Sequence, residues 1–288
     1  MKRRLSAEEL EFRSASKIPL RSAPGAFSSG EAMAMLTRRG LQPENTRGDV
    51  PFPQPLDDAL AEELSQWLGH YAFRLFLRGA IQKSSGFLPT ETTRYLTKAQ
   101  SRNYAEILVD LGLAEKSAAG RYSLKWPARN FGGTLEWYVG RELARRYGFD
   151  VATGVKIHAS GVGGDLDVVA AAEGKLVYIE LKSSPPKNLA ASEISAFCDR
   201  LSLLCPDASL FVVDTALRLS DKVLPMLVKE FHQRRFVESG PKRIASQLWE
   251  LTPRVYAVNG SRDLMANIGK AIAAGFLTLS ALETLDPL

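Results

Sequence analysis

Gly164-Asp165-Leu166-Asp167-Val168-Val169, followed by Leu176-Val177-Tyr178-Ile179-Glu180-Leu181-Lys182, decides the fold. Both segments read as β-strands. Side chains alternate along a strand, so Val177, Ile179 and Leu181 point one way while Glu180 and Lys182 point the other way together. Asp165 and Asp167 share one face by the same rule. Gly161, Gly163 and Gly164 predict a tight connection into the first of the two strands. Helical patterns flank the strands, so both sheet faces are expected to be covered. Charges on a covered face are costly unless they are paired or hold a metal.

The preceding segment supports this. Thr134–Tyr147 reads as a helix in which Leu135, Val139, Leu143 and Tyr147 form one stripe. At 100° per residue Glu136 falls within that stripe, between Leu143 and Tyr147, with Arg141 and Arg145 on the far side. A carboxylate on an apolar face needs a reason. The plain alternative is a first-turn acid favoured by the helix dipole.

From Gly132 onward the pattern is α/β. Strands are expected at Val151–Ala159, Asp165–Ala171, Leu176–Lys182, Ser209–Thr215 and Arg254–Val258, and helices at Leu189–Leu204, Ser220–Arg235 and Asp263–Ala274. The cations from Lys222 to Arg243 read as a solvated helix face. Upstream, residues 56–130 read as a helical, winged-helix-like module. Leu56–Gln82 has helical spacing, Thr90–Leu96 and Ser101–Leu111 are expected helices, and Leu113–Lys116 with Arg121–Lys125 is an expected β wing. The stretch 83–131 holds eight basic residues against four acidic ones, so Arg102, Arg121 and Lys125 are candidate nucleic-acid contacts. Residues 1–55 contain six prolines and few aliphatics. They are expected to form an extended or partly disordered arm, with one short helix near Gly30–Arg39.

Composition sets the outer limits. With 288 residues, 45% apolar and 24% charged, a globular core is expected, and a net charge of +5 suits a polyanionic partner. Cys198 and Cys205 read as two buried free thiols, which predicts a reducing compartment. No apolar run follows Met1-Lys2-Arg3-Arg4, so a cytoplasmic protein without a membrane partner is expected. His70, His158 and His232 lack ligand spacing, and no glycine-rich phosphate loop is present.

Glu136, then Asp167 just before Val168-Val169, then Glu180-Leu181-Lys182 resembles the PD-(D/E)xK nuclease superfamily over about residues 130–260. The resemblance implies an α/β fold with a restriction-endonuclease-like αβββαβ core, spanning residues 131–288 here. It implies a nuclease that cleaves nucleic acid, DNA before RNA, with Mg²⁺ or Mn²⁺ as cofactor. Carried over, Asp167 and Glu180 bind metal with the Leu181 carbonyl, Glu136 assists directly or through water, and Lys182 acts on the attacking water. Leu166 stands where many members have proline, and Asp165 competes with Asp167 for the aspartate role. A homodimer is kept open. The rival is a DNA-binding protein that uses a nuclease-like domain as a scaffold or dimerisation unit.

Overall fold

The computed structural model describes residues 29–46, 48–83, 86–158, 164–236 and 240–280. Gly161 and Gly163 therefore lie outside the described residues, as does the basic N-terminus. The elements that build the site follow the αβββαβ order. They are α5 (Gly132–Tyr147), β4 (Asp150–Ile157), β5 (Asp165–Ala172), β6 (Lys175–Lys182), α6 (Ala191–Leu204) and β7 (Ala208–Val213), counted after α1–α4 and β1–β3 described below. The fold is α/β. Strands β4, β5 and β6 are antiparallel neighbours, and β7 runs parallel to β6. Helix α6 is the crossover that a parallel pair needs.

The same sheet continues beyond this core. Its order is β1-β4-β5-β6-β7-β10-β9-β8, with β1 at Pro43–Asn45, β8 at Lys242–Ala245, β9 at Leu248–Thr252 and β10 at Val255–Asn259. Strand β10 was expected; β8 and β9 were not. Lys242 and Arg243, read as part of a helical face, sit instead on edge strand β8, where exposed cations suit an unpaired strand edge. Helices α7 (Val223–Gln233) and α8 (Leu264–Ser280) complete this half.

Residues 29–55 are more ordered than their prolines suggest. Helix α1 (Gly30–Arg38) buries Ala32, Met35 and Leu36, and β1 pairs antiparallel with β4 through Pro43↔Ile157 and Asn45↔Val155. The main-chain N–H of Ala32 donates to Asp150 at 2.7 Å, tying α1 to the start of β4.

The middle module contains α2 (Asp58–Gly69), α3 (Tyr71–Ile81), α4 (Lys98–Asp110) and a hairpin of β2 (Ala114–Lys116) and β3 (Tyr122–Leu124). The single helix expected over Leu56–Gln82 is two helices, because His70 takes extended angles, φ −86° and ψ 119°. The helix expected at Thr90–Leu96 is only a short 3₁₀ turn, Pro89–Glu91. Gly79 of α3 explains the difference. A Cβ there would stand 1.9 Å from the Thr92 carbonyl, so this loop lies directly on α3, held by main-chain contact. The second expected helix forms as α4, and β2 and β3 pair as a two-stranded antiparallel hairpin. Thr97 caps α4, and Tyr122 of the hairpin donates to Glu106 of α4 at 2.6 Å.

The module shares a core with the sheet. One apolar cluster runs from Phe52, Leu64, Phe73, Phe76 and Leu108 through Leu135 and Val139 to Val168, Ile179 and Val258. A second cluster covers the opposite sheet face with Phe197, Leu227 and Phe231. Both faces are covered, as the charge pattern requires. Helix α5 lies between the module and the sheet and is buried on both sides. Arg141 and Arg145, expected on a far side, instead reach Glu62 of α2, and Ser65 donates to the buried Glu142 at 2.8 Å. Tyr147, expected in the apolar stripe, is 45% exposed, because the helix ends at Gly148 with φ 70°. No described helix is long and apolar enough to cross a membrane.

Candidate active site

Val168 lies opposite Ile179 across the antiparallel β5–β6 pair. One step further along, Asp167 stands beside Glu180 on the other face, at the close cross-strand spacing of about 5 Å between Cβ atoms. The main-chain N–H of Leu181 donates to Asp167 Oδ2 at 2.6 Å, which fixes that carboxylate against β6. The Leu181 side chain belongs to the opposite face, so this residue meets the site through its main chain alone.

Glu136 approaches from α5. Its carboxylate lies over β4 at Gly154, where a Cβ would stand 3.4 Å from Oε2. Gly154 has φ +59°, a conformation that favours glycine, and the missing side chain leaves the slot that Glu136 fills. Gly133, one turn before, allows the 48–50 loop to lie against α5: a Cβ there would meet the Asp49 carbonyl at 2.7 Å.

Asp165, Asp167, Glu136, Glu180 and Lys182 line one cavity of about 350 Å³, together with Thr46, Asp49, Asn130 and Arg200. The structure thus brings together all four residues that the sequence marked as chemical. Arg102, Arg121 and Lys125 lie outside it, exposed on the module. Arg121 is partly committed to structure, since it donates to the Gly86 carbonyl at 2.9 Å.

Three contributors, Arg200, Tyr178 and Glu193, were not read from the sequence. Arg200 of α6 contacts Glu180 Oε2 at 2.6 Å, and the Tyr178 hydroxyl donates to the same oxygen. Glu193, in the first turn of α6, accepts from the Ala190 N–H at 2.9 Å and contacts Lys182 at 3.0 Å. Lys182 also meets Glu180 Oε1 at 2.8 Å. The available signal was spacing: Glu193 and Arg200 lie seven apart, two helical turns, and so share a face of α6.

The electrostatics are lopsided. Among the described residues, five carboxylates line the cavity against two cations, Lys182 and Arg200. Burial, reinforced by Asp165 and Glu180, pushes the Glu136 carboxyl up to about 7. Burial, with Glu180 and then Glu136, holds Asp167 well above the usual range, against the opposing pull of the Leu181 N–H and Lys182. Burial alone would lower Lys182, but Glu180 and Glu193 outweigh it, so the ammonium is held above its ordinary value. Such a set of oxygen donors, short of positive charge, is what a hard divalent cation takes. Among the described residues no three Asp, Glu, His or Cys side chains form a ready-made ion cage. One or two of these carboxylates, completed by waters, could hold a hard divalent cation.

The cysteines lie elsewhere. Both are free. Cys198 is buried, and burial pushes its thiol up to about 12. Cys205, expected to be buried, is exposed at the left-handed end of α6.

No protein-family model matches the chain, and no curated protein matches it. Its fold is similar to that of protein VC1899 from Vibrio cholerae, with a TM-score of 0.50 and 14% identity, over 85% of this chain and 62% of that one. Can2 from Sulfobacillus thermosulfidooxidans, solved in complex with cyclic tetra-adenylate, matches at a TM-score of 0.46 and 18% identity, over 84% of this chain and 60% of that one. This chain spans less than two thirds of the length of either. At these identities the likeness concerns the fold alone.

Proposed function

We propose that the chain is a metal-dependent nuclease of the PD-(D/E)xK type, hydrolysing phosphodiester bonds in nucleic acid, with DNA the first candidate. The observation that carries this reading is the convergence of Glu136, Asp167 and Glu180 beside Lys182 in a cavity where, among the described residues, carboxylates outnumber cations. A polyanion would be repelled from such a cavity unless divalent cations neutralised it. Asp167 and Glu180, with the Leu181 carbonyl, are the residues that would hold Mg²⁺ or Mn²⁺, and Glu136 would assist directly or through water. Such an ion supplies Lewis-acid stabilisation of charge on the phosphate and activation of water.

The chain's own groups account for the rest. Lys182 stays protonated at neutral pH, so it acts as a cation and not as a base. Its ammonium, braced between Glu180 and Glu193, is placed to orient the attacking water and to stabilise charge that develops on the phosphate oxygens. Arg200 and Tyr178 hold one Glu180 oxygen, which fixes the direction of the other. The test is incubation with plasmid, linear, single-stranded and junction DNA and with RNA, in Mg²⁺, Mn²⁺ and EDTA. Metal-dependent cleavage of at least one substrate is expected.

One observation favours the scaffold reading. Glu180 already has Lys182, Arg200 and Tyr178 as partners, and a carboxylate so engaged also suits a purely structural ion network. Absence of cleavage on every substrate, with nucleic-acid binding retained, would select it.

A further inference from the structure

A second cavity adjoins the first. It has a volume of about 360 Å³ and shares Thr46, Gly48, Gly133 and Glu136 with the acidic cavity, so Glu136 stands in the wall common to both. Its chemistry is different. Among the described residues, Glu136 is the one charged side chain that lines it. Its other polar side chains among the described residues are amides and hydroxyls, those of Asn45, Gln54, Ser29, Thr46 and Thr153, and the aromatic among them is Trp137, on α5 next to Glu136. Trp137 is partly exposed and is held by Phe52, which packs edge-on at 4.9 Å. Gln54 directs its amide toward Gly48, where a Cβ would stand 3.5 Å from Nε2.

A pocket whose described lining offers an aromatic wall, amide groups and a carboxylate does not suit a phosphate. It suits a flat heterocycle, which takes stacking from the indole and hydrogen bonds from side chains that both donate and accept. Its position beside the acidic cavity puts that heterocycle within one nucleotide of a phosphate held there. We propose that this second cavity receives the base of the nucleotide next to the scissile phosphate. The substrate is therefore single-stranded, or unpaired at the cut, because a stacked and paired base cannot enter a pocket of this kind. This inference rests on the nuclease reading of the neighbouring site and names its substrate class.

The probes are pentanucleotides of single-stranded DNA with an ordinary base, 2-aminopurine or no base at the central position. They are titrated against the full chain in Ca²⁺ and followed by anisotropy and by 2-aminopurine fluorescence. The abasic probe should bind about tenfold or more weakly, as loss of one stacked base implies, and 2-aminopurine emission should fall on binding in the parent. Gln54→Ala and Asn45→Ala, on partly or fully exposed residues, should each weaken the base-bearing probe and leave the abasic one unchanged. Trp137→Leu should abolish the emission change. In Mn²⁺, single-stranded DNA should be cut at least tenfold faster than the same sequence as duplex. Equal binding of abasic and base-bearing probes, or equal cleavage of duplex and single strand, would overturn the inference and leave the nuclease reading standing. Loss of cleavage on every substrate, with the base-dependent binding kept, would overturn the nuclease reading and not the pocket.

Discussion

Replacement of Glu136 by glutamine should stabilise the metal-free protein at alkaline pH and not at acid pH. The Glu136 carboxyl is pushed from an ordinary 4.5 up to about 7 in the folded chain by burial, Asp165 and Glu180. A raised carboxyl binds its proton more tightly folded than unfolded. Between pH ~4.5 and ~7 the folded state therefore holds more protons, and stability falls as pH rises through that window. Below it both states are protonated and nothing is gained or lost. Above it the penalty is complete. At 1.36 kcal/mol per pH unit the shift corresponds to about 3 kcal/mol, an upper figure for a residue that keeps some contact with water. For a chain of this size that is roughly 5–10 °C in Tm. Glutamine keeps the shape and removes the charge. Thermal melts of parent and Glu136→Gln at pH 4.5, 6 and 8, in EDTA and in millimolar Mn²⁺, provide the assay. In EDTA the variant should melt several degrees above the parent at pH 8, and the two should coincide at pH 4.5. In Mn²⁺ at pH 8 the difference should shrink or reverse, because the cation relieves the repulsion that glutamine removes. An equal difference at pH 4.5 and 8, or a parent that melts higher in EDTA at pH 8, would refute the reasoning.

Lys182→Ala should lower cleavage at least ~100-fold by removing charge stabilisation on the phosphate. It should also destabilise the metal-free protein by about 1–3 kcal/mol by stripping a cation from Glu180 and Glu193; urea unfolding and rate measurements check both. Asp214→Ala should destabilise by about 3–5 kcal/mol in urea melts, because the buried Arg74 and the partly buried Arg78, which reach Asp214 at 2.8 and 2.9 Å, would be left as uncompensated cations between α3 and the end of β7. Arg102→Glu should weaken binding of nucleic acid and reduce the slope of log affinity against log salt, read by anisotropy at several salt concentrations; an unchanged slope would remove the module from the binding surface.

Much of the site was legible because strand alternation is a strict rule. Once β5 and β6 are placed, the parity of Asp165, Asp167, Glu180 and Lys182 puts all four on one face, and the helical wheel puts Glu136 toward the sheet. Glu193 and Arg200 escaped because nothing local marks a helix residue that pairs with a strand: that contact exists only after α6 has crossed over. Strands β8 and β9 escaped for a related reason. Lys242–Ala245 is short and mostly exposed, with two adjacent cations and no apolar alternation, and it becomes a strand by pairing with β9 at the sheet edge. In the module, the helix expected at Thr90–Leu96 gave way to a main-chain contact with Gly79, a tertiary effect that no propensity carries. The strand at Pro43–Asn45 was hidden by its proline, which an edge position tolerates.

The central claim is that the acidic cavity cuts phosphodiester bonds with a divalent cation. Its most direct measurement is cleavage of single-stranded and duplex DNA and of RNA by the full chain in Mn²⁺, Mg²⁺ and EDTA, beside Asp167→Ala and Lys182→Ala shown by melting to be folded. The account predicts cleavage of at least one substrate by the parent, none in EDTA, and none by either variant. A folded parent that cuts nothing in either metal, or an Asp167→Ala protein that cuts at the parental rate, would contradict it.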